Sequence, residues 1–257
     1  MGDVLIKANQ LTKRYGSEPV VKGLNLEVKG GEIFGFLGPN GSGKTTTIKM
    51  LTGLLEPSAG EAFICGYDIA KQSTQAKALM AYVPDQPKLY SKLSAREFLK
   101  LIAALYRIPP ESVKARIGQL LEMFGLEERA DELLEGYSHG MRQKVVLASA
   151  LIHQPRVILL DEPTVGLDPA SARLLKDILQ ELARQGAAVF VSTHILEIAE
   201  RMCHRVAILK NGDLIAQGSP EELRRQVGHE QESLEDIFLE LTGGHEEAEL
   251  IKGLEEG

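Results

Sequence analysis

Two kinds of apolar spacing alternate along the chain. Short runs such as Val157-Ile158-Leu159-Leu160 and Val189-Phe190-Val191-Ser192 are apolar at nearly every position. A strand of that composition has no face to spare for water, as in a parallel sheet covered by helices on both sides. Runs of this type, or weaker versions of it, predict strands over 4–8, 24–28, 32–37, 61–64, 157–160, 188–192 and 205–210. Several are followed by stretches of helical period, so the expected class is α/β. From about 86 to 151 the spacing is helical without strands. Ser94-Ala95-Arg96-Glu97 has capping-box spacing and opens a helix whose apolar face reads as Phe98, Leu101, Ile102 and Leu105. Pro109-Pro110 breaks it. Val113, Ile117, Leu120, Leu121 and Phe124 mark a second amphipathic helix that stops near Gly125. This region reads as a helical insertion in an α/β domain. Farther on, Ser233-Leu234-Glu235-Asp236 caps a short helix with Leu234, Ile237, Phe238 and Leu241 on one face. Its packing, on the body or on a partner, stays open. Gly243-Gly244 ends it, and 245–257 reads as a solvated tail.

Composition narrows the class. The 257 residues, 44% hydrophobic and 25% charged, suit one large globular domain or one domain with an insertion. No apolar run approaches the ~18 residues of a membrane span. The first residues lack the basic-then-apolar order of a secretory signal. Cys65 and Cys203 stand singly, without metal-ligand spacing, and are expected as buried thiols in a reducing compartment. Charge is uneven: residues 229–257 hold ten acidic residues and one basic residue, which leaves +2 on the first 228 of a total of −7. Neither part carries the basic stripe of a nucleic-acid binder, so no nucleic-acid partner is expected.

The chemistry concentrates after the strand at 32–37. In Gly38-Pro39-Asn40-Gly41-Ser42-Gly43-Lys44-Thr45 the glycines let the backbone turn tightly and aim N–H groups at an anion. Lys44 supplies a point charge for the β- and γ-phosphates of a nucleotide, and the Thr45 hydroxyl is placed to reach Mg²⁺. Thr46 opens the helical stretch 46–51, whose positive N-terminal end faces the phosphates. A second constellation follows the strand at 157–160, where Asp161 and Glu162 emerge at the carboxyl end, the ligand-binding edge of α/β sheets. Asp161 is the natural Mg²⁺ partner, and Glu162 is placed to orient or deprotonate an attacking water. His194, after the next strand, is placed to contact the γ-phosphate and keep water and Glu162 in line.

Residues 4–225 resemble the ATPase subunits of ATP-binding cassette transporters. The run 38–45 matches the family's Walker A motif, and Leu159-Leu160-Asp161-Glu162-Pro163-Thr164 its Walker B motif. Tyr15 matches the aromatic that stacks on adenine, Gly166-Leu167-Asp168-Pro169 the D-loop, and His194 the switch histidine. Tyr137-Ser138-His139-Gly140-Met141 is similar to the signature that usually begins Leu-Ser-Gly-Gly-Gln; Ser138 and Gly140 are kept, while Tyr137, His139 and Met141 depart from it. A helix starting near Met141 keeps this a workable anion site. Where the family has a glutamine contacting Mg²⁺, this chain has Asp85, with Gln86 next; Asp85 is preferred as the ligand.

The resemblance implies a P-loop NTPase (RecA-like) core with an antiparallel β subdomain and an inserted α-helical subdomain. Its parts are a core at 1–85 and 152–228, a helical insertion at 86–151, and a C-terminal acidic helix and tail at 229–257. It implies ATP and Mg²⁺ as ligands. Two subunits, identical or not, would face head to tail, each ATP lying on one phosphate loop and under the other subunit's Ser138 and Gly140. A separate transmembrane permease would dock between insertion and core, placing the chain at the inner face of the cell membrane. The signature variant is similar to exporter ATPases of bacterial multidrug, antibiotic-resistance or ion-efflux systems. The rival class is a soluble cassette ATPase of translation or DNA repair, which typically has two cassettes, coiled-coil insertions or basic extensions.

Overall fold

Every residue of β3 (Ile33–Leu37), β7 (Val157–Asp161) and β8 (Ala188–Thr193) is buried. Their side chains alternate between two cores, as the two-residue period of a strand requires. Ile33, Leu37, Ile158, Leu160, Val189 and Val191 face one apolar cluster, and Phe34, Phe36, Val157, Leu159 and Phe190 face the other. Phe190 packs between Phe34 and Phe36, with ring centroids 5.7 and 5.2 Å away.

The computed structural model describes residues 2–86, 88–228 and 233–243. Ahead of and around β3 lie β1 (Val4–Tyr15), β2 (Glu18–Lys29), α1 (Lys44–Leu51), β4 (Ala59–Ile64), β5 (Tyr67–Asp68), α2 (Ser73–Ala78) and β6 (Met80–Val83). Then come α3 (Ala95–Leu105), α4 (Pro110–Met123) and α5 (His139–Leu151). After β7 the chain continues through α6 (Pro169–Arg184), β8, α7 (Leu196–Met202), β9 (Arg205–Lys210), β10 (Asp213–Gly218), α8 (Pro220–Val227) and α9 (Leu234–Thr242). One sheet is antiparallel, in the order β2-β1-β4-β5; the other runs β10-β9-β3-β8-β7-β6 and is parallel except at the β10 edge. The second core lies between the sheets and takes in Ile48, Met50 and Leu51 of α1. The first lies under α3 to α6.

This is the expected α/β class, with an antiparallel sheet packed on a largely parallel one. Three strands escaped the sequence reading. β5 has two residues and β6 four, too short to show a period, and β10 is an edge strand of mixed polarity. The capping box of α3 is present: Ser94 Oγ accepts from Glu97 N–H, and Glu97 Oε2 accepts from Ser94 N–H. The face of α3 is corrected, however. Ala95, Phe98, Leu99 and Ala103 are buried, whereas Leu101 and Leu105 are 37% and 68% exposed. α5 begins at His139, two residues earlier than read, with Ser138 as its N-cap. α9 packs on the body, beside α7 and α8, with Leu234 and Ile237 fully buried. The tail read over 245–257 lies outside the described residues.

Candidate active site

Because β3, β8, β7 and β6 run parallel as neighbours, the segments leaving their carboxyl ends share one edge of the sheet. Those segments are the phosphate-loop run, His194, the Asp161-Glu162 pair and Asp85. Asn40, Gly41, Gly43, Lys44, Thr45, Thr46, Asp85, Asp161 and Glu162 line a single cavity of about 280 Å³. Val20, from β2, completes the wall.

The loop holds its shape through glycine. Gly43 precedes α1 at φ 107° and Gly41 turns at φ 80°, both in the left-handed region. A Cβ on Gly38 would meet the Leu209 carbonyl oxygen and Ser42 Oγ, so that position admits no side chain. Lys44 is buried, and its ammonium donates to the carbonyls of Gly38 (2.7 Å) and Pro39 (3.1 Å). Burial lowers the Lys44 pKa, against the opposing pull of the Glu162 and Asp161 carboxylates. Ser42 Oγ is buried without a hydrogen-bond partner among the described residues.

Asp161 ends β7 opposite Ser192 of β8, and the Ser192 hydroxyl donates to Asp161 Oδ1 at 2.5 Å. Glu162 leaves the strand at φ 49°, a strained conformation for a side-chain-bearing residue, held by its N–H donating to the Ser192 carbonyl at 3.0 Å. Its carboxylate meets His194 twice: Nδ1 lies 3.0 Å from Oε1, and the His194 N–H donates to Oε2 at 3.3 Å. Asp85 is exposed at the cavity and Gln86 is not among its lining residues. Burial and the negative charges of Asp161 and Asp85 push the Tyr82 hydroxyl up to about 12. Tyr15 ends β1 with its ring largely open to solvent and Lys13 Nζ 5.5 Å from its centroid.

Ser138 and Gly140 stand apart from this cavity. Ser138 Oγ accepts from Met141 N–H at the start of α5, and Tyr137 beneath it is buried, its hydroxyl donating to the Arg129 carbonyl. Asp168 caps α6, its carboxylate accepting from the Ser171 N–H and hydroxyl, which lower its pKa. Two partners went unread in the sequence. Ser192 carries no motif of its own, and its place beside Asp161 follows only from the β7–β8 register. Val20 reaches the site from β2, which belongs to the other sheet. The Asp168-Pro169 step did hold a legible cap signal.

A phosphate-binding loop after a parallel strand, with an acidic pair on the strand next but one, defines a P-loop ATPase. The family model described as ABC transporter matches residues 21–165. The linearmycin resistance ATP-binding protein LnrL of Bacillus subtilis (strain 168) is 36% identical over 248 residues, covering 96% of this chain and 78% of that protein. A solved ATP-binding subunit of an ABC transporter superimposes with a TM-score of 0.88 at 36% identity, over 92% of this chain and 99% of that one. A dimeric ATP-binding cassette in a post-hydrolysis state, bound to ADP and Pi, gives a TM-score of 0.77 at 29% identity, over 84% of this chain and 98% of that one. The chain belongs to the ABC transporter family, as an ATP-binding and ATP-hydrolysing subunit.

Proposed function

We propose that two such subunits close head to tail around two ATP molecules and drive a separate membrane permease in the export direction. The observation that carries this reading is the separation of Ser138 and Gly140 from the phosphate-loop cavity. An anion site built from a serine, backbone N–H groups and a helix start has no anion to serve within its own chain, but it suits a γ-phosphate presented by a partner. The dimeric cassette with ADP and Pi supports a dimeric working unit. The resistance named for LnrL supports export.

Each residue then has a task. Backbone N–H groups of 40–43 and the Lys44 ammonium hold the phosphates, and the open Tyr15 ring stacks on adenine. Thr45, Asp161 and Asp85 are all oxygen donors, which fits Mg²⁺ with its preference for one or two carboxylates plus substrate phosphates. When bound, that ion would neutralise phosphate charge. Glu162, steadied by His194, orients a water and accepts its proton as the water oxygen attacks the γ-phosphorus and the bond to the β-phosphate oxygen breaks. Loss of the γ-phosphate removes the charge that Ser138 and Gly140 hold, and the dimer opens.

The working units are a core of 1–85 and 152–228, an insertion of 86–151 whose groove against the core receives the permease, and a C-terminal part of 229–257. No helix among the described residues is long and apolar enough to cross a membrane. Transport therefore rests on the permease, with this subunit at the inner face of the membrane. The test mixes a Ser138→Arg subunit with a Lys44→Ala subunit. Each is inactive alone, and the mixture recovers activity through one intact composite pocket. No recovery in the mixture, or full activity of Ser138→Arg alone, would overturn the trans assignment.

A further inference from the structure

Besides the contacts of Tyr137 and Met141 with Arg129, the signature segment meets the loop after β7, and His139 makes that contact. A Cβ built on Gly166 would lie 2.4 Å from His139 Cδ2 and 2.6 Å from Nε2, so the imidazole fills the space over that glycine. Two further observations place the start of α5 near the same loop. A Cβ on Gly140 would lie 3.8 Å from the Gly166 carbonyl oxygen, and the Lys144 charge helps to lower the pKa of Asp168. The loop beneath is short and tied at both ends. It leaves β7 at the strained Glu162, closes two turns through Val165 N–H to Glu162 O (3.2 Å) and Leu167 N–H to Thr164 O (3.2 Å), and is pinned at Asp168, the cap of α6. Gly166 sits between those turns at φ 77°. A push on Gly166 has little slack to absorb it before it reaches Glu162.

We propose that His139 is a positioning residue that couples the 138–140 segment to the 162–168 loop of the same chain. This rests on the head-to-tail reading above. The segment grips the γ-phosphate of the partner's pocket, and the imidazole passes its displacement to the loop carrying Glu162 in its own pocket. Occupancy of one pocket thereby sets the alignment of the carboxylate in the other. A glycine at 139, as in the usual signature, leaves Gly166 without this wedge.

The test compares His139→Gly and His139→Gln with the parent chain in steady-state phosphate release. His139→Gly should lower kcat about 10-fold, a modest misalignment of the reacting water. Its Hill coefficient for ATP should fall toward one, with binding to the isolated subunit unchanged. His139→Gln, which keeps a planar group over Gly166, should retain most of kcat and cooperativity. Gly166→Ala, which drives a methyl into the ring, should impair turnover, and the double variant His139→Gly with Gly166→Ala should be less impaired than Gly166→Ala alone. Unchanged kcat and Hill coefficient in His139→Gly, or no relief in the double variant, would overturn the coupling. ATP-dependent dimerisation is followed in parallel by sedimentation in a Glu162→Gln background, with and without His139→Gly. Dimers in both, with parental kinetics for His139→Gly, sink only the coupling, whereas no dimer with His139 intact sinks the head-to-tail reading as well.

Discussion

Lys44 is a buried cation between two opposed influences, desolvation that disfavours its charge and two carboxylates that favour it. Its ammonium is steadied by loop carbonyls rather than by a carboxylate contact, which leaves the charge available to a phosphate. Replacing it with alanine should weaken ATP binding at least ~10-fold, or about 1.4 kcal/mol, by titration calorimetry. Unaltered affinity would count against the loop assignment. Glu162 differs in kind. Its carboxylate lies against His194 at the cavity wall, so its amide variant should bind ATP as the parent does while turnover falls ~100-fold or more. Parental phosphate release in Glu162→Gln would remove the carboxylate from the chemistry.

At the scale of elements, α3 shows what the spacing told and what it hid. The capping box was legible because four adjacent residues suffice to define it. The buried face was not, since Phe98, Leu99, Leu101, Ile102 and Leu105 are apolar over almost the full turn, and periodicity alone cannot say which side meets the core. α4 and α5 settle it, burying Ala95, Leu99 and Ala103 and leaving Leu105 outside. Leu99→Ala should therefore cost about 2–5 kcal/mol in denaturant unfolding, and Leu105→Ala within ~0.5 kcal/mol. Equal costs would restore the face read from the sequence. The same reasoning explains the site. Phosphate loop, acidic pair and histidine each follow a strand whose apolar run announces it, but the hydrogen bond from Ser192 to Asp161 depends on which strands are neighbours. Strand order is a property of the whole sheet, and no local run encodes it.

At the scale of the molecule, both cores meet across the parallel sheet, and Cys203 lies in the one under the helices. Its Sγ is packed so closely over β3 that a Cβ on Gly35 would come within 2.9 Å. Burial pushes its thiol up to about 12 from an ordinary 9.0. A folded-state pKa above the unfolded one means that the folded chain keeps a proton which the unfolded chain gives up. Its contribution is whole below pH 9.0 and is lost as pH climbs toward 12. A rise from 9.0 to about 12 corresponds to about 4 kcal/mol at most, a large share of a typical domain's stability. Cys203→Ala removes that titration and should flatten the alkaline decline in unfolding free energy relative to the parent. Cys65, only partly buried, provides an internal comparison. At pH 8 a thiol reagent should label Cys65 in the native protein and reach Cys203 only at the rate of global unfolding, because Cys203 is buried with its Sγ packed against β3 at the centre of the sheet. Rapid labelling of both thiols in the folded chain would show that this side of the sheet opens locally, and the alkaline slope would then have to be assigned elsewhere.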